Sequence, residues 1–217
     1  MSHSETGNRP AGLFISLEGG EGAGKSTQLA AVREWYEQRG REVLVTRQPG
    51  GTALSEKIRG LLLDREHDGM SPLAELLLLF ADRAQFLDEV VRPALREGRV
   101  VICDRFTDST RAYQGGGRDL DRDTIEAVAR VVHGDLEPHL TLLLDLPVST
   151  GLARASNRGE ADRMEVAGQP FHERVRRAYL ALAEEFPDRI HVIDASLPPA
   201  QVSDAIRNTL EHFHEQH

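Results

Sequence analysis

Lys25 and Ser26 close the pattern Gly19-x-x-x-x-Gly24-Lys25-Ser26 within LFISLEGGEGAGKST, residues 13–27. An apolar run, Leu13 to Leu17, precedes the pattern, and an alanine-rich amphipathic segment follows it. That order is strand, glycine-rich turn, helix, the setting in which such a loop binds phosphate. Gly19, Gly20, Gly22 and Gly24, with Glu21 and Ala23 between them, let the backbone close so that successive N–H groups point inward. The N-terminus of the next helix adds partial positive charge. Lys25 supplies a mobile cation for β- and γ-phosphates, and Ser26 a hydroxyl for Mg²⁺. The chemistry is binding of a nucleoside triphosphate.

A second group of residues follows the apolar run Val100-Val101-Ile102-Cys103. A carboxylate there, Asp104, can hold Mg²⁺ through water, and the adjacent Arg105 offers a forked pair of donors to a second phosphate. Asp108-Ser109-Thr110-Arg111-Ala112-Tyr113-Gln114-Gly115-Gly116-Gly117-Arg118 combines hydroxyls, an amide and an aromatic ring, a mixture able to read a base and sugar or to form a helix with a glycine-rich end. Phe80 and Arg83 stand three residues apart and share a helix face, so they could stack on and hydrogen-bond to a base, although core packing is the commoner role for a phenylalanine such as Phe80. The run Arg154 to Glu165 is densely charged around Gly159. It reads either as a solvated turn or as a lid whose Arg158 or Arg163 moves over the triphosphate.

These groups need a scaffold, and the rest of the chain supplies one. Strands are predicted at 13–18, 42–46, 99–103, 140–145 and 190–194, short non-alternating runs suited to a sheet covered on both faces. Helices are predicted at 25–39, 53–64, 72–96, 122–133, 149–157, 169–185 and 199–214, with starts marked at Ser71-Pro72, Asp121 and Ser149. Alternation of this kind implies an α/β, doubly wound, five-stranded parallel sheet with its ligand site beyond the carboxyl ends of the strands. Three segments interrupt the pattern just after strands: Arg47 to Thr52, Asp104 to Gly117 and Arg154 to Glu165.

The 217 residues suit one domain at 12–217, with residues 1–11 a polar, disordered tail and a lid at about 154–166. A net charge of −9 argues against a general nucleic-acid binder. The lone cysteine, Cys103, rules out an intramolecular disulfide framework and fits a reducing compartment. The longest apolar stretch, Leu76 to Ala81, is too short to span a bilayer. The reading is a soluble, cytoplasmic protein.

Four segments, LFISLEGGEGAGKST, RQPGGT, DRFTDSTRAYQGGGR and GLARASNRGEADRME, run in an order that resembles the thymidylate kinases, over residues 13 to 214. The resemblance implies phosphorylation of dTMP to dTDP by ATP, for dTTP synthesis, on a phosphate-loop nucleoside monophosphate kinase fold with a short helical lid, in a homodimer. It implies that Lys25, Ser26 and Thr27 hold the ATP phosphates and Mg²⁺, and that Glu21 contacts the sugar and phosphate region of the substrate. Arg105 would bind the dTMP phosphate with Arg47 beside it. Ser109 and Thr110 would lie near the thymine, Tyr113 against the deoxyribose, Gln114 in the same segment, and Arg83 would donate to thymine O4. Arg154 resembles the residue that packs on the adenine.

One branch of that family carries an arginine in the loop at the position of Gly22; the Arg158-Gly159-Glu160 lid resembles the other, bacterial branch, which makes Arg158 the expected catalytic cation beside Lys25, Arg105 and Glu21. The chain departs from the family at Gln48, where a glutamate is common, and at Leu79, where an aromatic is common and Phe80 stands one residue later. Two other readings stay open: a kinase for another monophosphate or a deoxynucleoside, and a phosphate-loop switch or regulatory ATPase.

Overall fold

A computed structural model describes residues 11–156 and 163–216. Arg158 and the middle of the expected lid lie outside the described residues, as does most of the expected tail. Chain order runs β1 (Leu13–Glu18), α1 (Lys25–Glu37), β2 (Val43–Arg47), α2 (Ala53–Leu63), α3 (Pro72–Phe86) and α4 (Arg92–Arg96). It continues through β3 (Val100–Asp104), α5 (Thr107–Thr110), α6 (Arg122–His133), β4 (Leu140–Asp145), α7 (Val148–Ala155), α8 (Gln169–Glu185), β5 (Ile190–Asp194) and α9 (Pro199–Gln216).

The five strands form one parallel sheet in the order β2-β3-β1-β4-β5. β1 is central because the chain crosses first to one side of it and then to the other, so a crevice opens beyond its carboxyl end. Side chains alternate across β1. Ile15 and Leu17 pack with Val32 and Trp35 of α1 and Ile206 and Leu210 of α9. Phe14 turns the other way, onto Phe86, Leu87, Val91 and Phe106. Ser16 and Glu18 share the face of Phe14 and are fully buried. Helices on both faces explain why the strands read as continuous apolar runs.

Thr52, Ser71 and Asp121 cap α2, α3 and α6, each side chain accepting from a backbone N–H in the first turn. The long helix expected at 72–96 is continuous, but a π-helical turn at Leu87–Val91 separates α3 from α4. The segment from Asp104 to Gly117, read as an interruption, is helical from Thr107 onward, with a π-helical stretch at Arg111–Gly117. This is the helix with a glycine-rich end that the residues offered beside a base-reading segment, and it runs through all three glycines although glycine is a poor helix former. Its use here is close approach: a Cβ on Gly117 would lie 2.5 Å from the Phe171 ring, and one on Gly116 2.5 Å from the Ala178 Cβ. That contact seats the stretch on α8 and fixes where Tyr113 and Gln114 point.

Candidate active site

The loop between β1 and α1 opens into a cleft of about 280 Å³ at the carboxyl ends of the central strands. Glu21, Gly22, Ala23, Gly24, Lys25 and Ser26 line its loop side. Gly22 has φ +69°, a conformation costly for any side chain. A Cβ at Gly22 would lie 2.1 Å from the carbonyl oxygen of Gly151 in α7, so the loop rests on that helix backbone to backbone. Lys25 is buried and its Nζ donates to the carbonyls of Gly19 at 3.3 Å and Gly20 at 3.5 Å. Burial and the nearby Arg105 lower its pKa, while Asp104 and Glu21 act to hold the proton on. Thr27 is exposed on the first turn of α1 and is not part of the lining; Gly19 and Gly20 face a smaller adjoining cavity.

β3 delivers Asp104 and Arg105 to the opposite wall. Arg105 adopts φ +69°. Its Nη2 donates to Glu21 Oε1 at 2.9 Å, and its Nη1 reaches Gly19 O at 3.0 Å and the hydroxyls of Tyr179 and Ser109 at 3.2 and 3.3 Å. Tyr113 donates to the same Glu21 Oε1 at 2.7 Å, and its ring lies 4.9 Å from the guanidinium carbon. Burial alone would raise the Glu21 pKa, but Arg105, Lys25 and Tyr113 outweigh it and hold the carboxyl at about 2. An ionised carboxylate therefore stands between two cations at neutral pH.

The far end of the cleft is built by α3 and the segment after β2. Arg83, only 2% exposed, donates from Nε to Gln48 Oε1 at 3.2 Å and from Nη1 to Thr110 Oγ1 at 3.0 Å. Ser109 and Gln114 line the same wall, and Gln114 donates to Glu75 Oε1 at 2.7 Å. Arg47 lies at the rim, paired with Glu56 at 2.9 Å. A cis peptide bond joins Gln48 and Pro49 beside it.

Most residues singled out by sequence meet in this one cleft; besides Gly19, Gly20 and Thr27, Phe80 and Arg154 do not line it. Phe80 is buried against Leu76, Ile125 and Ala129, and its ring backs Arg83 with the guanidinium carbon at 4.9 Å; the side chain that reaches the cleft is Leu79. Adjacent helical positions point about 100° apart, so only one of the pair can face the ligand. Arg154 stands on α7, exposed, with Nη1 donating to Ala195 O at 3.2 Å after β5. Arg163, the alternative lid cation, is buried: it pairs with Glu75 at 2.5 Å and its Nε donates to Leu62 O at 2.8 Å. Glu75, Glu18 and Tyr179 were not singled out by sequence. A lone acid in the apolar helix at Glu75 and an acid ending an apolar strand at Glu18 are the signals that could have found two of them.

Ser26 and Asp104 fit a divalent cation. Both line the cleft, and Asp104 Oδ1 is buried with no hydrogen-bond partner among the described residues. Oxygen donors of this hardness suit Mg²⁺.

The family model described as thymidylate kinase matches residues 17–206. The chain belongs to the thymidylate kinase family. It is 56% identical over 195 residues to a thymidylate kinase of Pseudomonas fluorescens SBW25, covering 90% of this chain and 93% of the relative. It is 50% identical over 208 residues to one of Desulfovibrio desulfuricans, covering 93% and 96%. The crystal structure of thymidylate kinase from Ehrlichia chaffeensis superposes with a TM-score of 0.75 at 32% identity, covering 93% of this chain and 99% of that one. As a thymidylate kinase family member the chain is a nucleotide-binding phosphotransferase. At Gly22 the packing against Gly151 leaves no room for a side chain.

Proposed function

We propose that the cleft holds ATP at the loop end and dTMP at the Arg105 and Arg83 end, and that their phosphates meet between Lys25 and Arg105. The chain phosphorylates dTMP with ATP, giving dTDP and ADP on the route to dTTP. The observation that carries the site assignment is the convergence of Lys25, Glu21, Arg105 and Tyr113, from three separate elements, in one cleft.

An oxygen of the dTMP phosphate attacks the γ-phosphorus in line, a P–O bond forms, and the bond to the β-phosphate oxygen breaks to release ADP. The acceptor is already an anion, so no strong base is needed; positioning and charge neutralisation do the work. Lys25 follows the γ-phosphoryl, leaving the loop carbonyls it now caps. Arg105 binds the acceptor phosphate, with Arg47 at the rim. Glu21 aims Arg105 and, through Tyr113, the wall against the deoxyribose. Arg83, Thr110, Ser109 and Gln114 meet the thymine, Arg83 at its 4-carbonyl, and Arg154 packs on the adenine. Ser26 and Asp104 would hold Mg²⁺, which neutralises phosphate charge when bound.

Arg158 supplies the lid cation in this reading. Arg163 is better suited to anchoring the lid, since its guanidinium is committed to Glu75 and Leu62. Residues 12–217 act as one domain with the lid at 154–166. Exposed leucines on α2 (Leu54, Leu61) and α3 (Leu73, Leu77) support a homodimer, which sedimentation at micromolar concentration would check. No helix among the described residues is long and apolar enough to cross a membrane. The net charge of −9 and the free Cys103 support a cytoplasmic enzyme acting on free nucleotides, not nucleic acid.

ADP release measured with dTMP, dUMP, dCMP and thymidine as acceptors tests the reading. dTMP is expected to be the best acceptor, and Arg158→Ala to lower turnover by about 10²-fold or more with little change in dTMP affinity. No turnover with dTMP and ATP-Mg²⁺ would refute it. Near-normal turnover in Arg158→Ala would move the lid charge to another arginine.

A further inference from the structure

Arg105 holds a left-handed backbone conformation, φ +69°, which costs free energy for any residue with a side chain and lasts only where the surroundings impose it. The last two residues of β1 impose it here. The ladder between β1 and β3 ends where Leu17 faces Asp104. One step on, the Arg105 N–H donates to the Leu17 carbonyl at 3.0 Å, and the Phe106 N–H donates to Glu18 Oε1 at 2.7 Å. The planar peptide on each side of the Arg105 Cα is therefore held, one by main chain and the other by a carboxyl group, and that fixes φ and ψ between them.

The same carboxyl group also reaches the far end of the arginine. Glu18 Oε2 accepts from the Ser109 hydroxyl at 2.5 Å and from the Tyr179 hydroxyl at 2.9 Å. Those two hydroxyls accept in turn from Arg105 Nη1, at 3.3 and 3.2 Å. An acceptor on one side turns both hydroxyl protons away from the guanidinium and leaves their lone pairs to it. Glu18 is fully buried, and neither it nor Tyr179 lines the cleft.

We propose that Glu18 is a positioning residue for the phosphoryl acceptor: it acts on the acceptor phosphate without touching it, by setting both the backbone turn and the guanidinium of Arg105. This rests on the assignment of the acceptor phosphate to Arg105. Glu21 steadies Nη2 from the loop side at 2.9 Å, while Glu18 works from behind, on Nη1 and on the backbone. A charged group contributes most when its direction is fixed before the substrate arrives, because no reorganisation is then left to the reaction.

Steady-state kinetics of the full chain with ATP and dTMP tests this at pH 8, above the value of about 7 to which burial raises the Glu18 pKa. Glu18→Gln keeps an acceptor for the Phe106 N–H but sets an amino group against the two hydroxyls, which then turn their protons toward Arg105. It is expected to raise KM for dTMP about tenfold and to leave KM for ATP within about twofold. Tyr179→Phe removes one hydroxyl and keeps the carboxyl group, and is expected to raise KM for dTMP about threefold. Because Tyr179 works through Glu18, the double variant is expected to be no worse than Glu18→Gln alone. An unchanged KM for dTMP in Glu18→Gln, or equal rises for dTMP and ATP, overturns the proposal: a carboxyl group with a structural role alone would lower the melting temperature without splitting the two constants. Should Glu18→Gln fail to fold, Tyr179→Phe decides, and an unchanged KM for dTMP there overturns the proposal equally. Arg105→Gln separates the layers. If it lowers kcat/KM for dTMP while Glu18→Gln changes nothing, the acceptor assignment stands and the role of Glu18 falls; if it leaves kcat/KM for dTMP unchanged, both fall.

Discussion

Glu21 and Arg105, 84 residues apart in the chain, meet at 2.9 Å across the floor of the cleft. One comes from the loop that follows β1 and the other from the end of β3, so the ion pair ties the loop side of the cleft to the β3 side. Tyr113 completes the junction by donating to the same carboxylate oxygen. The pair is largely buried, with side chains 17% and 18% exposed, and a carboxyl held at about 2 keeps it intact throughout the neutral range.

Removing the carboxylate strands Arg105 Nη2 and the Tyr113 hydroxyl together. Glu21→Ala is therefore expected to lower kcat/KM for dTMP by about 10²-fold, the scale seen when a placed charged group is removed from such a site. The loss should be larger for dTMP than for ATP, because both stranded groups face the acceptor end. Equal losses for the two substrates would reduce Glu21 to a scaffold of the loop.

Gly22 and Gly151 touch through their backbones, and this gives an unusual sign to an ordinary substitution. In a helix interior, Gly→Ala normally stabilises by about 0.5–1 kcal/mol. At Gly151 the new Cβ would lie 2.3 Å from the Glu21 carbonyl oxygen. Gly151→Ala is thus expected to destabilise by about 1–3 kcal/mol in urea unfolding and to raise KM for ATP, since the loop must shift. Gly22→Ala adds the positive φ to the same clash and should cost at least as much. Stabilisation by Gly151→Ala would mean that the loop yields freely.

Sequence located what depends on backbone chemistry and local pattern. The strands were legible because burial on both faces demands continuous apolar runs, and the loop because its glycines, Lys25 and Ser26 sit within eight residues. Arg105 and Tyr113 were legible by their place after a buried strand. What stayed hidden was helix phase and distant pairing. An all-apolar turn such as Leu76 to Phe80 carries no moment, so nothing local tells Leu79 from Phe80. Tyr179 meets Glu18 across 161 residues, and Arg163 meets Glu75 across 88. Nothing local names the partner of either acid, and only the tertiary fold brings the pairs together.

Glu18 makes the stability of this fold depend on pH in the direction opposite to an ordinary ion-paired acid. Its carboxyl is fully buried at the end of β1 and accepts from the Phe106 N–H at 2.7 Å, the Ser109 hydroxyl at 2.5 Å and the Tyr179 hydroxyl at 2.9 Å. Burial, with Asp108 nearby, pushes its pKa up from 4.5 to about 7 in spite of those donors and Arg105. Between the two values the folded chain holds a proton that the unfolded chain releases. The contribution is therefore full below about 4.5 and is lost as pH rises through about 7. Glu18→Gln removes the titration: its amide keeps an acceptor for the Phe106 N–H and cannot ionise. Wild type is expected to lose stability relative to Glu18→Gln between pH 5 and pH 8, by an amount on the order of 3 kcal/mol at most. Urea unfolding of both proteins at the two pH values measures it. Parallel pH responses would show that Glu18 is ionised throughout, held so by Ser109, Phe106 and Arg105.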